Sequence, residues 1–594
     1  MTLVRYALWC WLSFSMSLTN AAAGDDSLTW RGWSAETLET ARTDKRFIIL
    51  DLEAVWCHWC HVMEDTTYRD PKVVALLKSN YITIRVDQDA NPDLSARYGD
   101  WGWPATIIFA PDGSELVKRR GYIAPENMLS LLQAVIDDPT PGPSVTANED
   151  ITPAASSTMS QETRSVLAQQ FTSGYDQKNG GWGTLHKYID ADSMDLALQL
   201  AERGDTASAA MAKTTLDRAT ALIDPAWGGL YQYSDAEDWR SPHYEKIMWY
   251  QASGLRQYAS AYALFNDTKY RQAADSIYRY MTTKLLSKEG AFFATQDADV
   301  DSKLPGKDFY KLSADARDKL GRAPRIDPNF YARENGWAIS ALVSYANVTG
   351  ETRPIQIAEQ AADWIVKNRR GPDGVFRHGA SDRGGPFLGD TIAVGIAALD
   401  LYAATGKRKW LDLARETSST LTLFRESGGG FTASVVSEGS AGVLAKPFVA
   451  LDEQVQAARF AIRAWRYLGD PKLKELAEHA IKYLASDAIR ESGRNTAGLL
   501  IADIELSQEP THMTIVGHKD DPAAIRLHAA ARRYPALNKR LDWWDMREGN
   551  LPNADITYPE LDQAAAFACS NRLCSLPAFS ADELTAAVTN MLRR

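Results

Sequence analysis

The sequence predicts a multidomain chain in three parts: an α/β domain, an all-α (α/α)6 toroid of six helical hairpins, and a small α/β appendage. Three observations predict it. Near residue 57 an apolar run hands over to a helical pattern through Cys57-His58-Trp59-Cys60. From 161 onward, long amphipathic patterns are separated by a returning loop of small and aromatic residues. From 511 onward, short strand-like runs reappear.

In the first domain, 24–138, Phe47 to Ala54 reads as a buried strand, and the spacing of Val62, Val73, Val74 and Leu77 predicts a helix running from the dithiol to Leu77. The C-x-x-C therefore sits at a helix N-terminus. There, free backbone N–H groups and the helix dipole favour a thiolate on Cys57, the expected nucleophile, and leave Cys60 one turn inside to resolve a mixed disulfide. Phe109-Ala110-Pro111-Asp112-Gly113-Ser114 predicts a turn between two strands, and Pro125 to Val135 a closing helix. Residues 139–160, rich in Pro, Ser, Thr and Ala, read as a linker.

Residues 161–510 carry helical patterns at Tyr244 to Phe265, Lys269 to Leu286, Asn329 to Ala346, Thr391 to Ala404 and Leu451 to Leu468. The returning loop is Gly180-Gly181-Trp182, Gly228-Gly229-Leu230-Tyr231, Gly290-Ala291-Phe292, Gly374-Val375-Phe376, Gly429-Gly430-Phe431 and Ala497-Gly498-Leu499-Leu500. A hairpin cannot bury its apolar face alone, and the irregular intervals do not fit an open solenoid, so a closed ring is the economical packing. In such a ring the loops gather around a central pit. Tyr231, Asp235, Trp239, Arg240, His243, Glu245, Asp297, Asp299 and Asp390 are its candidate residues, because carboxylates and a histidine among aromatics suit proton transfer at a sugar ring. Loop ties such as Asp235 with Arg240 compete with that reading, as does binding without catalysis. Asp297 to Asp301 alternates like a calcium loop, but Ser302 and Asp308 stand where glycine and glutamate are needed, so no metal is expected. In the tail, 511–594, Met513 to Gly517 and Ala565 to Cys569 predict strands, and Pro522 to Arg533 and Ala581 to Leu592 predict helices.

Arg5, the apolar run Ala7 to Leu18 and Ala21-Ala22-Ala23 form a leader pattern, residues 1–23, with cleavage expected after Ala23 and a periplasmic or secreted product without a membrane span. Cleavage removes Cys10 and leaves Cys57, Cys60, Cys569 and Cys574. The latter two, five residues apart, are expected to form a structural disulfide; a relay to the first pair is the competing role. With 65 basic and 76 acidic residues the net charge is -11, which argues against nucleic acid as a partner. The 18 tryptophans and 24 tyrosines serve core packing or sugar stacking.

Asp51, six residues before Cys57, Trp56 just before it, and Pro104, expected to follow a cis bond in Gly102-Trp103-Pro104-Ala105, are similar to the buried acid, tryptophan and cis-proline loop of thioredoxin. Between the cysteines stands His58-Trp59 where thioredoxin has Gly-Pro. A structural disulfide competes with redox use. So does zinc held by Cys57, His58, Cys60 and His61, although such close neighbours converge poorly on a tetrahedral ion.

Trp56 to Met63, reading WCHWCHVM and followed by Glu64, resembles the hallmark of the spermatogenesis-associated, thioredoxin-like proteins. Pro242 to Met248, Gln296 to Asp299 and Cys569 to Cys574 are further similar runs. Leu185-His186-Lys187-Tyr188-Ile189 departs from that family's Ala-Pro-Lys-Phe-Pro. The resemblance implies a thioredoxin-like domain followed by a six-hairpin domain similar to glycosidases and N-acylglucosamine epimerases. The expectation is a thiol–disulfide oxidoreductase that needs no cofactor beyond its dithiol, acts on protein thiols or disulfides and holds a substrate or glycan in the toroid. A sugar epimerase or hydrolase with an auxiliary thioredoxin-like domain, and a non-catalytic scaffold, are the alternatives.

Overall fold

A computed structural model describes residues 27–145, 151–183, 185–437, 439–553, 555–570 and 573–592; the expected leader, 1–23, lies outside them. The first domain runs α1 (Ala35–Asp44), β1 (Phe47–Glu53), α2 (His58–Thr66), α3 (Pro71–Asn80), β2 (Tyr81–Asp87), α4 (Pro92–Tyr98), β3 (Ala105–Phe109), β4 (Glu115–Arg120) and α5 (Pro125–Asp137). Its sheet has the order β2-β1-β3-β4, with β1 and β2 parallel and the other pairs antiparallel. Alternation along β1 sends Ile48, Leu50 and Leu52 to one core and Ile49, with Asp51, to the face that α2 and α3 cover through Met63, Val73 and Leu77.

The single helix expected from the dithiol to Leu77 is two. Pro71 has no N–H to donate and keeps Asp70 extended, so α2 ends at Thr66, a 3-10 turn spans Thr67–Arg69, and α3 restarts with Asp70 as its cap. The Asp70 carboxylate accepts the N–H groups of Lys72 and Val73 at 2.9 and 3.1 Å.

The second region runs α6 (Gln161–Ser173), α7 (Ala191–Glu202), α8 (Thr206–Ala219), β5 (Tyr233–Ser234), β6 (Pro242–His243), β7 (Lys246–Ile247), α9 (Met248–Phe265), α10 (Thr268–Tyr280), β8 (Thr295–Gln296) and the short α11 (Gly306–Phe309) and α12 (Ala314–Leu320). It continues with α13 (Ala332–Thr349), α14 (Arg353–Arg369), α15 (Leu388–Thr405), α16 (Arg408–Ser419), α17 (Leu451–Leu468), α18 (Pro471–Leu484), α19 (Asp487–Ser492) and α20 (Thr496–Ser507). Neighbour contacts run α7–α9–α13–α15–α17–α20 and back to α7, a closed inner ring. Each inner helix also packs on one of the outer helices α8, α10, α14, α16, α18 and α6. This is the (α/α)6 toroid.

Burial follows position in the ring. α15 is buried on nearly every side, whereas outer α16 buries only a stripe of Trp410, Leu411, Leu413, Ala414, Thr417 and Ser418. α15 is also long and apolar enough to cross a membrane, but here it is a core helix of the toroid. The inner helices approach closely: a Cβ at Gly336 on α13 meets the backbone of Ala393 on α15 at 2.7 Å.

Five returning loops join an outer to an inner helix, and each closes with the same kind of bridge: Tyr175 to Trp182, Ile223 to Leu230, Leu286 to Phe292, Arg370 to Phe376 and Arg425 to Phe431. The sixth, Ala497 to Leu500, is not a loop. It lies inside α20, because Asn495 in the left-handed region starts that helix early and α19 makes the connection instead. Buried amides clamp three of the loops. Gln251, Asn335 and Gln454 each take the N–H and bond the carbonyl of Leu230, Phe292 and Phe431. The connections from inner to outer helices are short turns, so the long loops all emerge on one face of the ring.

The tail adds β9 (Thr511–Val516), α21 (Pro522–Arg533), β10 (Lys539–Trp544), β11 (Ala565–Ser570), β12 (Leu573–Cys574) and α22 (Ala581–Leu592), with sheet order β10-β9-β11-β12. β10 is additional to the two strands expected in the tail, and it runs through the charged Lys539-Arg540-Leu541-Asp542. Its charges are buried but paired: Arg540 with Asp542 at 2.7 Å and with Asp555 at 2.8 Å, while Tyr402 of the toroid donates to Asp542 at 2.9 Å.

Candidate redox site at the domain interface

Cys57 caps α2. Its Sγ accepts the Cys60 N–H at 3.1 Å, and the two cysteines form a disulfide with Cα atoms 5.3 Å apart. The Trp103–Pro104 bond in the facing loop is cis, as expected, and Trp56 packs edge-on against Trp103 with ring centres 5.5 Å apart. Asp51 is buried on the α2 side of β1, and burial outweighs Arg85, 3.1 Å away, to push its carboxyl up to about 6. Burial lifts Glu53 beside it to about 7. Arg85 also bonds Glu64, so that motif-flanking residue anchors the sheet.

Neither cysteine is open to solvent: Cys57 is 3% and Cys60 4% exposed. The loop face of the toroid covers them. The Ala298 N–H reaches the Trp56 carbonyl at 3.4 Å, Arg325 donates to the Val55 carbonyl at 2.9 Å, and Ile247 packs into the cluster of Ala54, Trp56, Cys57 and Cys60. Further round the rim, Trp33 donates to the Ala441 carbonyl at 3.1 Å and Arg97 to that of Lys446 at 2.8 Å. The first domain therefore lies across the mouth of the ring with its dithiol inward.

Both motif histidines meet toroid carboxylates. His58 Nδ1 lies 2.5 Å from Asp299, and its N–H reaches Glu245 at 3.3 Å; His61 Nε2 lies 3.8 Å from Asp297. β7 and β8 set this up. Lys246 pairs with Gln296 and turns into the toroid core, where it bonds Asp224 at 2.8 Å, so Glu245 and Asp297, one step along the ladder, turn to the dithiol side. The bond to Asp299 raises the pKa of His58. Burial raises that of Glu245 and lifts Asp297 to about 6. It also works against the charge of Asp299, but His58 and the Gly306 N–H hold that carboxyl below its usual range.

Residues 12–137 match the family described as "Protein of unknown function, DUF255", Thioredox_DsbH. Spermatogenesis-associated protein 20 of Mus musculus is 26% identical over 309 residues, 46% of this chain and 38% of that protein. The thiol:disulfide interchange protein DsbD of Pseudomonas fluorescens is 30% identical over 109 residues, 17% of this chain and 19% of that one. The chain spans about four-tenths of the length of the spermatogenesis-associated relatives it matches. Among solved structures, cellobiose 2-epimerase from Bacillus thermoamylovorans aligns over 54% of this chain and 86% of its own at 14% identity and TM-score 0.43. A D-mannose isomerase aligns over 61% and 99% at 11% identity and TM-score 0.44.

The pit candidates divide. Glu245, Asp297 and Asp299 face the dithiol domain, not an isolated pit. His243 stands beside them, its Nε2 2.7 Å from half-exposed Asp235 and its Nδ1 3.7 Å from Glu245. Tyr231 is core, packed on Tyr244, Tyr310 and Lys246. Trp239 is 1% exposed and donates to the Asn179 carbonyl at 2.9 Å, which makes it a loop tie; Arg240 is exposed. The expected Asp235–Arg240 tie gives way to Asp235 with His243 and His186.

Asp390 pairs with His378, which the sequence reading missed. Buried His378 has Nδ1 2.9 Å from Asp390 and Nε2 2.7 Å from the Asp89 carbonyl, and the Asp89 carboxylate in turn accepts Trp56 Nε1 at 2.7 Å. The signal available was positional, since His378 stands two residues past its loop aromatic Phe376, as Tyr233 stands past Tyr231.

Cys569 and Cys574 form a disulfide across β11 and β12, where they are register partners with Cα atoms 4.1 Å apart.

Proposed function

We propose that this chain is a thiol–disulfide oxidoreductase whose dithiol is served through the rim of the toroid. The observation that carries the reading is the Cys57–Cys60 pair at the start of α2, held against Ile247, Glu245 and Ala298. In the reduced state the Cys57 thiolate, at the cap and beside His58, attacks a disulfide sulfur and displaces one thiolate. Cys60 gives its proton to Asp51 and attacks Cys57 Sγ. The second thiol leaves and the Cys57–Cys60 bond remains, two electrons having passed to the substrate. The reverse sequence oxidises a dithiol, and the partner's potential sets the direction.

Burial of both sulfurs favours a small or extended disulfide, such as one carried on a flexible peptide, over the surface of a folded protein. The leader pattern and the Cys569–Cys574 bridge support an oxidising compartment, periplasmic or secreted. The test is turnover of glutathione disulfide and of a short peptide disulfide by reduced wild type and Cys57→Ser, beside refolding of a scrambled protein. Small disulfides should react at rates that Cys57→Ser abolishes, and the scrambled protein slowly. Equal rates for wild type and Cys57→Ser would refute the reading.

One observation favours the rival, a sugar-active enzyme. His243 sits between Asp235 and Glu245 and stacks on Tyr233 with ring centres 4.3 Å apart, an acid–base group beside an aromatic platform. Turnover of amino sugars or oligosaccharides lost in His243→Ala supports it.

A further inference from the structure

The seam between the domains gathers buried carboxylates that the dithiol chemistry does not use. One ring nitrogen of His61 and one carboxylate oxygen from each of Asp297 and Asp299 lie within 4.8 Å of one another. His61 Nε2 and Asp297 Oδ2, at 3.8 Å, are too far apart for a hydrogen bond, yet one ion about 2.1 Å from each would join them. The other atoms of the set are already oriented. Asp297 Oδ1 accepts the Asp299 N–H at 3.0 Å, which leaves Oδ2 toward His61. Asp299 is held by His58 and by the Gly306 N–H at 2.6 Å. A ligand carboxylate fixed by a neighbouring imidazole and a backbone N–H is the arrangement in which outer partners hold a metal ligand in place.

A second observation points the same way. Glu245 is 3% exposed and sits opposite Asp297 by the register of β7 and β8, on the same dithiol side. Its Oε1 takes the His58 N–H, while its Oε2 is buried without a hydrogen-bond partner. A buried carboxylate oxygen without a hydrogen bond is costly, and the nearest basic group to this one, His243 Nδ1 at 3.7 Å, is beyond hydrogen-bond reach. A cation held by Asp297 and Asp299 would offset that charge.

We propose that His61, Asp297 and Asp299 bind one divalent transition-metal ion of the zinc or manganese class, on the side of the seam where Glu245 is buried, and so clasp the thioredoxin-like domain to the toroid. One imidazole with carboxylates suits those ions. Calcium prefers more oxygens and no imidazole, and the 297–308 segment lacks the glycine and glutamate of a calcium loop. The ion takes no ligand from the disulfide, so the site stands whether or not the dithiol exchanges with a substrate.

The experiment uses the full-length, untagged protein in its oxidised form, so that Cys57 and Cys60 are unavailable to metal. Equilibrium dialysis against buffered Zn²⁺, and separately Mn²⁺ and Ca²⁺, with elemental analysis of the protein, reads stoichiometry and affinity. Wild type should hold one equivalent of zinc or manganese, as should Cys57→Ser/Cys60→Ser. His61→Ala and Asp297→Asn should weaken that binding by about 100-fold or more, beyond what loss of an outer partner does. His61 is partly exposed, so His61→Ala keeps the test decisive if Asp297→Asn unfolds, with circular dichroism as the check. Binding of less than one equivalent, binding of calcium alone, or stoichiometric binding unchanged in folded His61→Ala would each overturn the proposal.

Discussion

His58 Nδ1 and Asp299 Oδ2 stand 2.5 Å apart, joining the dithiol motif to a loop 241 positions away. This contact makes the C-x-x-C of the first domain part of the toroid rim. A carboxylate–imidazole bond of this kind contributes about 1 kcal/mol when partly exposed, and it works here beside the Trp56–Ala298 and Val55–Arg325 bonds. Asp299→Asn should therefore loosen the docking without unfolding either domain. In the reduced protein, Cys57 alkylation should speed up several-fold while the melting temperature stays within a few degrees. An unchanged alkylation rate would mean that the cover does not depend on this pair.

Cys57 and Cys60 differ in position, not in exposure. Cys57 caps α2 and accepts the Cys60 N–H, so in the reduced protein its thiolate is the stabilised one. Thiolate absorbance should titrate below the free-cysteine value of about 8.5, and alkylation at limiting reagent should mark Cys57 first. Equal labelling of both, with an unshifted titration, contradicts the assignment of Cys57 as nucleophile.

His378 makes the interface sensitive to pH. Burial works against its charged form, but Asp390 outweighs it and raises the pKa to about 9, against about 6.5 in an unfolded chain. The folded state thus holds a proton that the unfolded state releases between those values. The stability this adds, on the order of 3 kcal/mol, is full below about pH 6.5 and is lost as pH rises through about 9. Urea midpoints at pH 6 and pH 9.5 should fall further in wild type than in His378→Gln. Parallel losses in the two proteins would show that the ring is neutral throughout.

Asn335 tests the loop clamps. It is fully buried and bonds both the N–H and the carbonyl of Phe292, at 2.7 and 2.9 Å. Asn335→Leu strands both groups and should cost about 3 kcal/mol, read as a lower urea midpoint. A near-wild-type midpoint would mean that the loop finds other partners.

The Cys569–Cys574 bridge closes a two-stranded hairpin in the tail, whose elements pack on α13 and α15 of the toroid. Cys57→Ser should trap no mixed disulfide between Cys60 and either of them. A cross-linked peptide found by mass spectrometry would join the two ends of the chain in one redox circuit.

The sequence by itself determined what depends on near neighbours. A C-x-x-C after a buried strand places a thiol at a helix cap, because strand period, helix period and cap chemistry all act within a few residues. The helical stripes and the glycine-aromatic loops predicted the toroid for the same reason. Local signals also misled in places. Gly498 sits inside α20 and not in a loop, since the left-handed turn at Asn495 had already made the bend. The charged run Lys539-Arg540-Leu541-Asp542, to which the sequence assigned no element, is a buried strand, because its charges find partners as distant as Tyr402. Only the tertiary structure decided where the dithiol points. Ring closure brings the loops bearing Glu245, Asp297 and His378 onto one face, and docking of the first domain there sets His61 beside Asp297 and Asp89 beside His378. Those pairings are set by the packing of whole elements separated by hundreds of residues, and no spacing along the chain encodes them.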